Sequence, residues 1–170
     1  MYITASGNTE IDVEIIEECL DPMLSICVNG EVSIDWGDNT SDTLIGTSLS
    51  TILTISHIYL NTGNYKIIIS SIDGSYSFKT DTYKLLLSKT SETNLSKSIS
   101  KIYGSCVKSI RIGNNITSIG DYAFGYLGIR EITIPNSITT VNANYIFYNC
   151  YQLKNIIIPN GVTILGSYMF

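Results

Sequence analysis

The sequence has few of the residues from which metal centres and catalytic triads are built. It contains one histidine, His57, and its four cysteines, at positions 19, 27, 106 and 150, include no CxxC pair. Zinc sites require closely spaced cysteine and histidine ligands, and a Ser-His-Asp arrangement would depend on His57 alone. No set of nucleophile, base and orienting group stands out. We therefore expect a protein that is not an enzyme and that needs neither a metal nor a cofactor.

A disulfide framework is lacking as well. Cys19 and Cys27 are near enough in sequence to pair in a secreted protein, and whether they are bridged stays open at this point. The four cysteines do not follow the spacing of small disulfide-rich domains. Buried free thiols are the interpretation that we favour.

Positive charge is missing from the first part of the chain. Residues 1–65 contain ten Asp or Glu and no Lys or Arg, whereas residues 66–170 contain five acidic and ten basic side chains. This asymmetry favours a division of the chain into two units. The basic part is too dilute in Lys and Arg to form a phosphate-binding surface, so nucleic acid is not an expected partner.

Long apolar runs and a basic start are also missing. No apolar stretch approaches the ~18 residues that a membrane span requires. The first twenty residues contain no Lys or Arg, so they do not resemble the beginning of a secretory signal. We expect neither a membrane span nor a signal sequence within this chain.

The sequence is instead rich in short runs of alternating apolar and polar residues. Hydrophobic residues make up 44% of the chain and charged residues 15%, which is typical of a folded protein. Short alternating strands with frequent turn formers predict a mainly β fold, with a sheet-on-sheet sandwich in residues 1–87. Asn29-Gly30 predicts a tight hairpin within it. The alternating apolar positions are Ile11, Val13, Ile15, Leu24, Ile26, Val28, Val32, Ile34, Trp36, Tyr65, Ile67 and Ile69.

The stretch SIDWGDNT, residues 33–40, places the only tryptophan between two carboxylates. Trp36 has the strand parity of the inward residues, so Asp35 faces outward, and Asp38 lies in the next turn, where it accepts amide hydrogen bonds. A glycosidase pair needs two carboxyls that converge within about 5–10 Å, which neighbours on opposite strand faces do not do. His57 is predicted to bond to this acidic turn. Asp38 and His57 are therefore predicted to be structural.

The same residues resemble the polycystic kidney disease (PKD) family, whose pattern runs WGDG, HxY and GxYxV. Trp36-Gly-Asp38, His57-Ile-Tyr59 and Gly63-Asn-Tyr65 stand at the matching places, with Asn39 instead of the second glycine. The resemblance covers residues 11–75. It implies an immunoglobulin-like sandwich that serves as an extracellular spacer or binding module. It also suits a tyrosine corner, in which the Tyr65 hydroxyl ties the turn backbone.

The last third of the chain repeats itself with a period of about 23 residues, which is inside the range of leucine-rich repeats. Ile112, Ile134 and Ile158 are equivalent and lie 22 and 24 residues apart. Each copy supplies an Ile-x-Ile strand, a turn and an inward Phe, and stacked copies bury one continuous core. The sequence predicts a short solenoid over residues 105–170, with an incomplete last repeat. Residues 88–104, rich in Ser, Thr and Lys, are predicted to be a linker or an irregular N-terminal cap.

These repeats resemble the BspA-like leucine-rich repeat family, whose units read LxxIxIPxxVTxIGxxAFxxC. The matching residues are Ile119-Gly120, Ala123-Phe124, Ile134-Pro135, Cys150 and Val162-Thr163. The resemblance implies a secreted or surface-attached protein of a host-associated bacterium or a protist. Adhesion to host proteins is the role it implies, so we expect an extracellular or cell-surface location.

Two kinds of repeat position are predicted to contact a ligand. The residues between and before the buried isoleucines of each strand face outward and line the concave strand face. One tyrosine per repeat offers aromatic surface for a protein or a sugar, although tyrosines that merely cover the repeat core fit the pattern equally well. The strand rows are Ser109, Glu131 and Asn155, and Arg111, Thr133 and Ile157; the tyrosines are Tyr122, Tyr145 and Tyr168.

The repeats and the β-rich first part together favour a non-enzymatic recognition or adhesion module. We expect it to bind a host or neighbouring-cell protein or glycan through the repeat surface. The alternatives are a carbohydrate-binding accessory region of a larger hydrolase and a structural element of a phage tail or surface appendage. The third repeat stops at its inward Phe170, which would leave apolar groups exposed. We therefore expect either further repeats in the natural polypeptide or self-association through the open C-terminal repeat.

Overall fold

A computed structural model describes residues 7–80, 86–89 and 97–170. The mainly β class is confirmed, because the described residues contain eight strands, one short 3₁₀ helix, Glu17–Cys19, and one α-helix. No helix among the described residues is long and apolar enough to cross a bilayer. The elements are β1 (Thr9–Ile15), β2 (Pro22–Asp35), β3 (Ser41–Ser56), β4 (Gly63–Ser77), β5 (Leu87–Lys89), α1 (Lys97–Cys106), β6 (Val107–Arg111), β7 (Glu131–Thr133) and β8 (Asn155–Ile157).

The strands join into one open sheet in the order β3-β2-β4-β1-β6-β7-β8, and β5 pairs with β2. β1 uses both of its edges, because β4 pairs with one and β6 with the other, both antiparallel. The repeat strands β6, β7 and β8 pair in parallel. The sheet therefore runs without a break from the first part of the chain into the repeats. The pairing of the described residues does not show the two packed sheets of an immunoglobulin-like sandwich.

The prediction of a hairpin at Asn29-Gly30 is wrong. β2 continues through both residues, and Gly30 pairs with Gly46 on one side and with Gly74 on the other. Gly30 has a φ of 102° and Gly74 a φ of 106°, values that glycine adopts readily. A Cβ atom on Gly30 would lie 2.1 Å from the Asp73 carbonyl oxygen. Gly30 therefore allows β2 and β4 to approach closely, and it does not form a turn.

One hydrophobic core extends through both parts of the chain. The same cluster of buried residues contains Ile11 and Trp36 of the first part together with Phe124 of the first repeat. The inward phenylalanines predicted for the repeats form a ladder, with ring centroids 5.8 Å apart for Phe124 and Phe147. Phe170 stacks on Phe147 at 5.9 Å but is 74% exposed, because only one of its faces is covered by a neighbouring ring.

The residues after β4 take the position of a preceding repeat. Phe78 forms a parallel bridge with Ile119, as Val141 does with Leu165 one repeat later. The Phe78 carbonyl accepts a hydrogen bond from the Gly120 amide at 2.7 Å, and the Thr80 amide donates to the Asp121 carbonyl at 3.0 Å. The segment after β4 thus covers the face that the first repeat would otherwise expose.

The predicted division at residues 88–104 falls on two ordered elements. β5 includes Leu87–Lys89 and α1 spans Lys97–Cys106, while residues 90–96 lie outside the described residues. The division into three parts stays a prediction. What the structure adds is that the first and last parts share strand pairing and a core.

Candidate recognition surface

The predicted strand rows are brought together by the parallel pairing of the repeats. Arg111 pairs with Thr133, and Thr133 pairs with Ile157. Glu131 pairs with Asn155 in the second row, and Ser109 shares the strand face of Arg111 by alternation. Glu131, Thr133, Asn155 and Ile157 are exposed, whereas Ser109 and Arg111 are half-buried. The six side chains share one face of the sheet.

Both rows continue beyond the repeats onto β1 and β4. Arg111 pairs with Glu10, which pairs with Ile68. Ser109 pairs with Asp12, which pairs with Lys66. We define the outer sheet face by these two rows: Ile68, Glu10, Arg111, Thr133 and Ile157, and Lys66, Asp12, Ser109, Glu131 and Asn155. Sequence reasoning missed the members on β1 and β4, since alternation shows which way a residue faces but not which strands become neighbours.

Charges are paired on the β1 side of this face. The Glu10 carboxylate accepts hydrogen bonds from the Arg111 guanidinium and from Lys66 Nζ, the latter at 2.9 Å. Lys66 Nζ also lies 3.3 Å from Asp12, which accepts a hydrogen bond from the Ser109 hydroxyl. The hydrogen bonds from Arg111 and then Lys66 lower the pKa of Glu10 below its usual value. Ser109 and Arg111 therefore make contacts within the chain, which leaves the exposed residues of β7 and β8 as the more accessible part.

The tyrosines of the repeats form a ladder of their own. The rings of Tyr122 and Tyr145 are stacked with centroids 4.8 Å apart, and those of Tyr145 and Tyr168 with centroids 5.3 Å apart. Tyr148 packs edge-on against Tyr122 and Tyr145. Burial is the main cause that raises the pKa of Tyr122. Each inner ring has a neighbour on its face, and only the last tyrosine, Tyr168, is largely exposed, at 72%.

In the first two repeats, the side chain that precedes the ladder tyrosine accepts a hydrogen bond from a backbone amide of the next repeat. The ladder tyrosines have positive φ values of 54–59°, a conformation that non-glycine residues seldom adopt. Asp121 accepts a hydrogen bond from the Asn144 amide at 2.7 Å, and Asn144 Oδ1 accepts one from the Ser167 amide at 3.0 Å. These side chains precede the tyrosines and fix each unusual backbone turn against the next repeat.

The acidic turn is a packed cluster, in which His57 contacts Asp38 as predicted. His57 Nε2 lies 2.9 Å from Asp38 Oδ2, and the His57 ring is stacked on Trp36 with centroids 4.6 Å apart. The Tyr59 hydroxyl donates to the Trp36 carbonyl at 3.0 Å. The Tyr65 hydroxyl donates to the Asn61 carbonyl at 3.0 Å, which is the contact expected of a tyrosine corner.

Two carboxylates near this turn, Asp35 and Asp42, accept hydrogen bonds that the sequence did not predict. Asp35 faces outward as predicted, but it also accepts a hydrogen bond from the Gly37 amide at 2.8 Å. Asp42, which sequence reasoning missed, accepts a hydrogen bond from the Trp36 indole at 2.7 Å. Burial raises the pKa of Asp38, but hydrogen bonds with Thr40 and His57 outweigh it, so its pKa lies below the usual value. Across the described ranges, no three His, Cys, Asp or Glu side chains are grouped to hold a metal ion.

Comparison with known protein families identifies the repeats. The family described as BspA type leucine rich repeat region, with six copies, matches residues 74–170, more than half of the chain. The chain belongs to the BspA-type leucine-rich repeat family. No curated protein and no solved structure matches it.

The extent of the match agrees with the packing of the BspA-type repeats. It begins at residue 74, well before the start at 105 that the sequence predicted, and so includes Phe78 and the bridge to Ile119. The acidic turn lies outside the matched residues, and no match supports a PKD family assignment for residues 11–75. BspA-type repeat proteins are typically secreted or attached to the cell surface, and they are often involved in adhesion and protein binding.

Proposed function

We propose that the protein is a non-enzymatic recognition or adhesion module, secreted or at the cell surface, that binds a partner protein through the outer sheet face. The observation that carries the proposal is the row Ile68, Glu10, Arg111, Thr133 and Ile157, which is paired strand by strand across five strands, with the second row beside it on the same face. Repeat proteins bind along extended surfaces of this kind. The strands of the first part widen this surface and supply its charged border.

The tyrosine ladder favours a protein over a glycan as the partner. A sugar ring binds an aromatic side chain across its open face. In the ladder, both faces of Tyr145 and one face each of Tyr122 and Tyr168 stack on neighbouring tyrosines. Apart from the exposed end ring of Tyr168, edges and hydroxyls therefore make up most of the surface that remains for contact. Edges and hydroxyls suit the mixed polar and apolar surface of a protein.

We propose a structural role for the acidic turn. A catalytic His-Asp pair needs a nucleophile or a reacting proton within reach. The His57 ring instead lies between Asp38 and Trp36, and Asp38 also accepts bonds from the Thr40 amide and hydroxyl. These contacts support a PKD-like module in residues 11–75 that acts as spacer and scaffold.

The open end of the third repeat supports a second kind of contact. Its apolar side chains are strongly exposed, with Leu165 at 52% and Phe170 at 74%. A patch of this composition favours association. We propose that a second copy of the chain covers it, and we expect the 170-residue chain to self-associate in light scattering. A monomer at all concentrations would contradict self-association, and it would leave the binding proposal unaffected.

Paired lysine substitutions test the proposal. Thr133→Lys with Asn155→Lys places two charges on the outer sheet face. Thr139→Lys with Thr163→Lys adds the same charge at two other exposed repeat positions and is the matched control. Binding to intact host-type cells and to a panel of extracellular proteins should fall at least tenfold for the first pair and stay unchanged for the control. Equal binding by both, or binding restricted to a glycan array, would contradict the proposal.

A further inference from the structure

Two cysteines that are distant in sequence lie side by side in the fold. Cys19 ends the 3₁₀ helix and Cys106 ends α1. Their sulfur atoms are 2.7 Å apart, and both side chains are buried, at 0% and 2% exposed. With Tyr103 they form a small cluster that is separate from the main core.

The strand pairing explains why these residues meet. β1 and β6 run antiparallel, with Val13 opposite Val107. The segment that follows β1 and the segment that precedes β6 therefore lie at the same end of the sheet. A second contact holds them there, because the Tyr103 hydroxyl donates to Asp21 Oδ1 at 2.5 Å. The pairing of β1 with β6 and the Tyr103–Asp21 hydrogen bond therefore hold the two sulfurs close together.

The other two cysteines have different surroundings. The Cys27 thiol lies in the middle of β2 and contacts the Lys79 carbonyl at 3.9 Å. The Cys150 thiol donates to the Phe124 carbonyl at 2.9 Å. The question of whether Cys19 pairs with Cys27 therefore has a structural answer, since the thiol next to Cys19 belongs to Cys106.

We propose that Cys19 and Cys106, free thiols in this structure, form a disulfide when the protein folds in an oxidising compartment. The oxidant is a disulfide RSSR, either a small molecule or an oxidoreductase. One cysteine thiolate attacks RSSR and releases RS⁻, which gives a mixed disulfide; the second thiolate then attacks the protein-bound sulfur and releases the other RS⁻. Two cysteine sulfurs are oxidised, RSSR is reduced to two RSH, and the two thiol protons go to the leaving thiolates.

Burial determines when this exchange occurs and what it achieves. Both sulfurs are enclosed in the folded chain, so the mixed disulfide forms before α1 docks. The bond then joins the first part of the chain to the segment that leads into the first repeat. It closes a long loop, and long loops gain the most from a crosslink because the unfolded chain loses more conformational freedom.

Peptide mapping of the full chain tests the proposal directly. The protein is unfolded and refolded in a buffer of reduced and oxidised glutathione, quenched, alkylated under denaturing conditions and digested without reduction. We expect a linked peptide pair that contains Cys19 and Cys106, lighter by two hydrogen atoms than the separate peptides, with Cys27 and Cys150 alkylated. Alkylation of all four cysteines, or a link between Cys19 and Cys27, would overturn the proposal.

Thermal unfolding supplies a second measurement. Reductant should lower the melting temperature of the oxidised wild type by roughly 5–10 °C. The control variant Cys27→Ala should show the same fall, whereas Cys106→Ala should show none. The same fall in Cys106→Ala would contradict the proposal. If Cys106→Ala does not fold, the peptide map of the wild type decides.

Discussion

Phe78 and Phe124 pack with their ring centroids 5.5 Å apart, so the residue that follows β4 continues the phenylalanine ladder of the repeats. Both rings are fully buried. A solenoid needs a cap at each end of its core, and here the strands of the first part provide the N-terminal one. The ladder, the bridge at Ile119 and the pairing of β1 with β6 are three independent contacts across the same junction.

The cap predicts a large stability loss for Phe78→Ala. Removing a fully buried phenylalanine costs about 3–5 kcal/mol of unfolding free energy, because packing is lost and a cavity remains. Leu60→Ala, at an 89% exposed position, is the control and should change stability by less than about 0.5 kcal/mol. Urea unfolding measures both. Similar values for the two variants would show that Phe78 does not cap the repeats.

The acidic turn predicts unequal effects for its two carboxylates. Asp38 bonds to the Thr40 amide, the Thr40 hydroxyl and His57, whereas Asp35 bonds to the Gly37 amide. Asp38→Ala should cost about 1–3 kcal/mol and Asp35→Ala about 0.5–1 kcal/mol. Melting curves of the two variants test the order. Negligible effects of both, together with a lost activity, would make the turn a functional site instead.

Acid should weaken this turn in a predictable direction. The pKa of Asp38 lies below its usual value of 3.8 in the folded chain. Its contribution to stability is therefore complete above that usual value and is lost as the pH falls through the lowered folded pKa. Asp38→Asn should show a smaller drop in melting temperature between pH 6 and about pH 2 than the wild type does. Parallel pH profiles would indicate that Asp38 is not stabilised in its charged form.

From the stacking in the tyrosine ladder we expect an inner tyrosine to contribute more to the free energy of unfolding than the last one. Tyr145 is stacked on both faces, and Tyr168 on one. Tyr145→Ala should cost about 1–3 kcal/mol, and Tyr168→Ala less than about 1 kcal/mol. Equilibrium unfolding distinguishes them. If both substitutions are neutral but abolish partner binding, the ladder is a binding surface rather than a cover for the repeat core.

The sequence was sufficient to predict which side chains face the core wherever a local pattern determines their direction. Alternation alone placed Trp36 inward and Asp35 outward, since the side chains of a strand alternate between its two faces. The spacing of the repeats likewise identified the inward Phe124 and Phe147, which are buried as predicted. In both cases the decisive neighbours lie within a few residues or one repeat.

Contacts between distant segments could not be predicted in the same way. Glu10 and Arg111 are 101 residues apart, and nothing in either local sequence specifies that β1 pairs with β6. Asn29-Gly30 has a strong local preference for a turn, yet pairing with strands on both sides keeps it within β2. Asp42 was missed for a related reason, because its bond to Trp36 depends on the register of β2 and β3.

Native-state hydrogen exchange tests most directly whether the first part of the chain and the repeats form one folded unit. Amides of β1 and β6 should lose protection together, at the same denaturant concentration and with the same opening free energy. The reason is that the two strands are hydrogen-bonded to each other. The single Trp36 provides an internal reference, since its fluorescence should change in the same transition. Exchange of β6, β7 and β8 through an opening that leaves β1 to β4 protected would contradict the account.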